Sequence, residues 1–375
     1  MIIRPISHQD LPALHQIAIE SGPGFTSLMA DIDYLAQKIQ RSIDSFGTDI
    51  QKPGKQSYLF VLEDERTGDI MGISGITAAA GLDSPLYHYH KSQLVNHSRA
   101  LGIFKRFDVL NMCNHYTGCT EVCTLFLRPQ FRRAHAGKLL SKVRFLFMAQ
   151  HPQRFAHTVI AEMRGVSTEE GHSPFWNWFN EHFVDLDFAA VTELVGTGNN
   201  GFIAELIPKY PLYTQLLSKD AQEVIGQVHE QTRPALHMLE CEGFRHKGYI
   251  DLFDAGPTVE AEFSQISSIA TSVQCQVQAV SASTPLLSRH RNQNRSELLA
   301  IANTRTGDFR ATVTDQGTYL PQHNLLQLPA TLVESLGLQH GGSARCLKLT
   351  ATGARILPEA VDASGTQVNA TIYAN

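Results

Sequence analysis

Charge is sparse in this chain of 375 residues. Asp, Glu, Lys and Arg supply only 18% of it, and 31 cationic residues face 36 acidic ones, a formal charge of −5. No basic run occurs, so nucleic acid is not an expected partner. Long apolar runs are missing too. Stretches such as Phe145 to Ala149 fall far short of the ~20 residues that cross a bilayer, so no membrane partner is expected. The opening MIIRPISHQD turns polar at its fourth residue, which predicts no secretory leader. Cysteine is scarce and irregular: Cys113, Cys119, Cys123, Cys241, Cys275 and Cys346 form no CxxC pair. Reduced thiols and a cytoplasmic location follow as expectations. Cys113, His115, Cys119 and Cys123 lie near one another, but Cys123 sits in an apolar, strand-like run, so no metal is expected.

What the chain does have is 43% hydrophobic residues, enough for a sizeable core, which excludes a disordered chain. At about 150 residues per domain, two or three domains are expected. Ile2 to Ile6 predicts a strand, with Asp10 as N-cap of a helix carrying Leu11, Leu14, Ile17 and Ala18. The breaker-rich loop Gly22 to Ser27 leads to a second helix with Leu35, Ile39, Ile43 and Phe46. Tyr58 to Leu62 and Ile70 to Ile76 predict a hairpin turned at Thr67 and Gly68. Tyr87 to His90 alternates as a strand with its imidazoles toward water would. Strands are further expected at 121–127, 159–163, 224–229, 249–253 and 258–263, and helices at 139–149 and 232–242. Together these predict an α+β fold, a mixed sheet flanked by helices, over 1–265, with an insertion around 166–222. Gln, Ser and Thr dominate 264–295, so 266–296 is expected as a linker and 297–375 as a small β-rich, barrel-like domain.

The most informative unit is the strand EVCTLFL (121–127), the loop 128–138 and the helix 139–149. The loop reads Arg132, Arg133, Ala134, His135, Ala136, Gly137, Lys138. Small residues allow close approach of a ligand, and free amides at a helix start beside cations attract phosphate. An ordinary strand-to-helix turn with solvated charges accounts for the same residues. A second unit, 232–244, places Ala235, Leu239 and Gly243 four apart and ends on Phe244, as a helix with one packed face would.

With IRP…DxxAL at the start, the 58–76 hairpin, RxxxxG and AxxxLxxxGF, the chain resembles the GNAT N-acyltransferase superfamily over about residues 1–265. A closer resemblance, along nearly the whole chain, is to the arginine N-succinyltransferases. It rests on GFTSL (24–28), CTLFL (123–127), LLSKxRFxFMA (139–149), AEMRG (161–165), SPFW (173–176), FIAEL (202–206), VIGxVH (224–229) and GPT (256–258). The resemblance implies transfer of succinyl from succinyl-CoA to the α-amine of L-arginine, in arginine catabolism. Two departures stand out: His135 replaces a residue that is usually Gly or similarly small, and Leu239 stands where many GNAT enzymes carry a thiolate-protonating Tyr.

The resemblance places the proton donor at His229, in VIGxVH, and an imidazole with a pKa near ~6.5 can either give or take the proton. It also implies an oxyanion contact at the backbone of Leu125, with Leu127, Arg132, Arg133, His135, Ala136, Gly137 and Lys138 lining the site for succinyl-CoA. Glu162 and Arg164 end a strand expected to border the cleft, and a salt bridge between elements explains them equally well. Ornithine or another acyl-CoA as substrate, a non-catalytic acyl-CoA sensor, and a tandem acyltransferase arrangement stand as alternatives. A homo-oligomer is left open.

Overall fold

Ser57–Glu63 has five consecutive interior side chains buried, the pattern of a strand covered on both faces. In this computed structural model, which describes residues 1–22, 25, 27–132, 135–168, 172–196, 201–280 and 297–349, that strand sits centrally. The strands are β1 (Ile2–Pro5), β2 (Ser57–Glu63), β3 (Ile70–Thr77), β4 (His88–Ser98), β5 (Ile103–Cys113), β6 (Thr120–Leu127), β7 (Thr158–Glu162) and β8 (Leu212–Tyr213). They continue with β9 (Arg245–Ile250), β10 (Pro257–Glu262), β11 (Val273–Val280), β12 (Leu299–Asn303), β13 (Ala311–Thr314), β14 (Thr318–Leu320), β15 (Leu325–Pro329) and β16 (Ser343–Lys348). One sheet joins them in the order β14-β15-β11-β16-β12-β13-β1-β2-β3-β6-β7-β10-β9-β4-β5-β8.

Helices α1 (Leu11–Ser21) and α2 (Ile32–Gly47) cover one face, packing Leu14, Ile17, Leu35 and Ile39 against Leu59, Val61 and Ile73. Helix α3 (Ala136–Gln150) covers the other, where Leu139, Val143 and Phe147 meet Tyr58, Phe60, Met71 and Val122. The alternation of β2 thus feeds two separate cores. The hairpin expected at 58–76 is present, seven residue pairs long.

The insertion brings α4 (Pro174–Phe179), α5 (Phe188–Gly196), α6 (Gly201–Leu206) and α7 (Lys219–Glu223), whose apolar side chains form a third core with Tyr89, Leu110, Ile250 and Phe253. After it come α8 (Arg233–Glu242), closed by Gly243 in the left-handed region at φ 107°, and α9 (Ser267–Thr271). One further helix, α10 (Ala330–Ser335), packs in the C-terminal part.

Several expectations are corrected. Asp10 heads α1 but makes no side-chain cap there. Its carboxylate instead takes a bidentate pair from Arg4 at 2.7 and 2.8 Å. Residues 224–229 are no strand, because Gly226 turns the chain at φ +72° and donates its amide to the Ala255 carbonyl. The strand expected at 249–253 is Arg245–Ile250, and Asp251 onward turns. His88 is wholly buried rather than facing water. Within the stretch expected as a linker lie α9 and β11, where Cys275 and Val277 turn inward while Gln274 and Gln276 face out. The strands of 273–348 pack Cys275, Val277, Leu299, Ile301 and Leu326 together. Among the described residues they continue the sheet through β13 and β1 rather than closing into a barrel.

Candidate active site

Strands β6 and β7 run parallel, yet they pair only at Thr120 with Val159 and Glu121 with Ile160. Beyond that point they part, and Val122–Leu127 keeps one edge without a strand partner among the described residues. A bulge on the other edge bends β6: Gly75 lies opposite Cys123 and Ile73 opposite Phe126, so Thr124 and Leu125 together face Ser74. Thr124 holds φ 51°, a strained value for a β-branched residue. The result is a V-shaped opening with Glu121 at its apex.

One wall leads from β6 to the start of α3. Leu125 and Leu127 are half-buried on it, Arg132 and His135 are exposed, Ala136 is buried, and Gly137 and Lys138 are half-buried in the helix's first turn. Arg133 and Ala134 lie outside the described residues. His135 sits at φ 69° and accepts at its carbonyl from Leu139 N–H. That left-handed position explains why a glycine is natural there. The side chain of Arg128 is already engaged by Glu20 at 2.8 and 3.0 Å.

The other wall is the end of β7, continued by Met163, Arg164 and Gly165. His229 hangs on it, its amide donating to the Arg164 carbonyl at 2.9 Å. The ring's Nδ1 accepts from Gln231 N–H at 3.3 Å, so the neutral imidazole carries its proton on Nε2. Burial, and next the charge of Arg164, hold the His229 pKa below its ordinary value. Arg164 donates Nη2 to Ser167 Oγ at 3.0 Å, and its buried Nε has no hydrogen-bond partner among the described residues.

This wall is held from behind. Asp254 accepts from Gly165 N–H at 2.7 Å and from Gly256 N–H at 2.8 Å. A Cβ on Gly165 would lie 2.3 Å from the Asp254 carbonyl, and one on Gly256 2.1 Å from the Met163 carbonyl. The glycines of AEMRG and GPT therefore permit backbone contact across the turn. Burial and the neighbouring Asp251 push the Asp254 carboxyl up.

Around the apex gathers a group the sequence does not disclose. His88 Nε2 lies 2.8 Å from Glu162 Oε1. Burial alone would lower the His88 pKa, but Glu162 lifts it above the ordinary value. Burial, then the charge of Glu162, pushes Glu121 up to about 8. Asp251 is raised for the same two reasons. Of these, only Glu162 is expected at the cleft from the sequence. His88 and Asp251 carry no local motif, and only the register brings them here.

An open sheet edge, a helix start beyond it and a histidine at the opposite rim make this opening the candidate acyltransferase cleft. The family described as arginine N-succinyltransferase beta subunit matches residues 1–268. An arginine N-succinyltransferase of Salmonella typhi is 41% identical over 350 residues, covering 93% of this chain and 98% of that one, and one of Salmonella agona matches equally. A solved structure of arginine/ornithine succinyltransferase subunit AI, from Pseudomonas aeruginosa, is 34% identical with a TM-score of 0.81, covering 93% of this chain and 99% of that one. The chain belongs to the arginine N-succinyltransferase family.

Proposed function

We propose that this protein transfers the succinyl group of succinyl-CoA to the α-amine of L-arginine, giving N2-succinyl-L-arginine and CoA in arginine catabolism. The observation that carries this is the unpaired β6 edge facing His229 across the V, in a chain of this family. An exposed strand edge offers alternating N–H and C=O groups to the two amides of a pantetheine arm. The first-turn amides of α3, with Arg132, His135 and Lys138 nearby, suit the pyrophosphate. Ala136 and Gly137 keep that approach open: a Cβ on Gly137 would meet only Leu127 Cδ2, at 3.8 Å, so packing does not demand glycine there. The bulge at Thr124 and Leu125 supports an oxyanion contact from the Leu125 amide.

The neutral amine attacks the thioester carbonyl, a C–N bond forms and the C–S bond breaks. The nitrogen loses one proton and the sulfur gains one, so the step is proton-neutral. His229, neutral at the start, takes up the proton the nitrogen sheds and, as imidazolium, gives one to the departing thiolate, so it ends neutral as it began. We place the reaction in the cytoplasm, in keeping with six cysteines that form no disulfide. No helix of the described residues is long and apolar enough to cross a membrane.

Ornithine as acceptor is the second reading, prompted by the likeness to the arginine/ornithine succinyltransferase subunit of Pseudomonas aeruginosa. Thiol release from succinyl-CoA tests both: arginine should drive it fastest, with acetyl-CoA a poor donor. No release with arginine overturns the proposal, and faster release with ornithine moves it to the second reading.

A further inference from the structure

The two sheet faces at the V are unlike. The face toward α3 is apolar, with Val122 and Ala161 in its core. The opposite face carries charge. Glu121 and Ile160 are paired, so Glu162, two residues further on β7, shares Glu121's side. Thr258 lies directly opposite Glu162 on β10, and so on that side as well. Ile250 is opposite both Pro257 and Tyr89, which places Asp251 and His88 on the same face as Thr258. Five polar side chains from five parts of the chain thus share one face beside the cleft.

Their partners are incomplete. The structure gives the Glu121 carboxylate no hydrogen bond or ion pair among the described residues, although Lys38 of α2 influences it electrostatically. Glu162 has His88 on one oxygen and keeps a side chain 30% exposed. His88 and Thr258 are wholly buried, yet His88 Nδ1 and Thr258 Oγ1 have no hydrogen-bond partner among the described residues. Buried polar groups left unmade are costly, and acidic ones gathered against each other more so. A planar cation with several N–H donors would relieve the carboxylates together.

We propose that Glu121 and Glu162, backed by His88, Asp251 and Thr258, form the subsite that receives the guanidinium of the acceptor arginine. This rests on the acyltransferase function above and adds which residues choose the acceptor. Donor and acceptor then approach from opposite faces: coenzyme A phosphates at the α3 end, and the cationic side chain on the face of α1 and α2. The α-amine is left to meet the thioester within the V. Asp251 also accepts from Phe253 and Asp254 amides, which anchors the floor of the subsite.

The test compares arginine with citrulline, which replaces the guanidinium by a neutral group of nearly the same shape. The wild type should prefer arginine in kcat/KM by more than about 100-fold. Glu121→Gln and Glu162→Gln should each raise KM for arginine about 10- to 100-fold, as loss of a charge-assisted contact implies. KM for succinyl-CoA should stay within about 3-fold, and the arginine-to-citrulline ratio should shrink. Calorimetry near pH 7 adds a readout that a structural role would not move. A cation beside Glu121 favours its ionised form, so arginine binding should release protons from the wild type and fewer from Glu121→Gln. Should Glu121→Gln fold poorly, the more open Glu162→Gln carries the test. Wild-type transfer with an unchanged arginine-to-citrulline ratio in both variants overturns the subsite and leaves the function standing. Absence of transfer by the wild type overturns the function instead.

Discussion

Removing the Asp254 carboxylate should damage both stability and turnover, although Asp254 touches no substrate group proposed here. Its two oxygens accept the Gly165 and Gly256 amides at 2.7 and 2.8 Å, and the residue is 6% exposed, so water cannot readily replace them. Each buried amide left without an acceptor costs ~1–3 kcal/mol, so Asp254→Ala should lose about 2–6 kcal/mol in total. That is a large share of the ~5–15 kcal/mol that holds a typical fold. Asp254→Asn retains one acceptor oxygen and turns an NH2 toward the other amide, so it should lose roughly half as much. The effect on catalysis follows from the neighbouring backbone. Arg164, between Met163 and Gly165, accepts the His229 amide, and the Ala255 carbonyl accepts the Gly226 amide. Loosening Asp254 therefore frees the histidine's anchor from two sides. A displacement of about 1 Å in a catalytic group costs on the order of 100-fold in rate. Urea unfolding measures the first effect and steady-state thiol release the second. Asp254→Asn should lower kcat at least 10-fold and move KM for succinyl-CoA little. Stability within about 0.5 kcal/mol of wild type, or an unchanged kcat in a folded variant, refutes the reasoning.

Three further outcomes follow from particular residues. Burial and Arg164 depress the His229 pKa, so the acid limb of kcat/KM against pH should fall below ~6.5, and Arg164→Met should move it upward; an unmoved limb contradicts the role of the Arg164 charge. Glu121 is raised in the fold to about 8, so between the unfolded value near ~4.3 and about 8 the native state holds more protons than the unfolded chain. Stability should therefore decline as pH rises through that window, and less steeply in Glu121→Gln; parallel pH profiles of the urea midpoint would count against it. At His135, φ 69° penalises a β-branched side chain. His135→Val should cost ~1–2 kcal/mol in unfolding free energy while His135→Gly stays close to wild type; equal stabilities would show the strain to be absent.

The elements of the acyltransferase core are legible wherever local pattern and burial agree. The strand at 121–127, the hairpin at 58–76 and the helix at 139–149 all appear within a few residues of their expected bounds. What fails is local in appearance and tertiary in cause. The run VIGQVH reads as a strand until Gly226 is seen bonded to Ala255. His88 alternates with His90 as a surface strand would, and only pairing of β4 with β9 carries it beside Glu162. Polar glutamines along 273–280 suggest a linker, although in a one-sided strand they are the outward half of the alternation. The chemistry divides in the same way. His229 and the loop before α3 lie in contiguous motifs, whereas the acidic face is assembled from β4, β6, β7, the turn after β9, and β10, and no stretch of sequence announces it.

A crystal of the protein grown with coenzyme A examines the cleft assignment most directly. The pantetheine arm should lie along Val122–Leu127, the pyrophosphate should meet the amides of Ala136 to Lys138, and the sulfur should point toward His229 Nε2. Coenzyme A bound elsewhere with that edge vacant would contradict it.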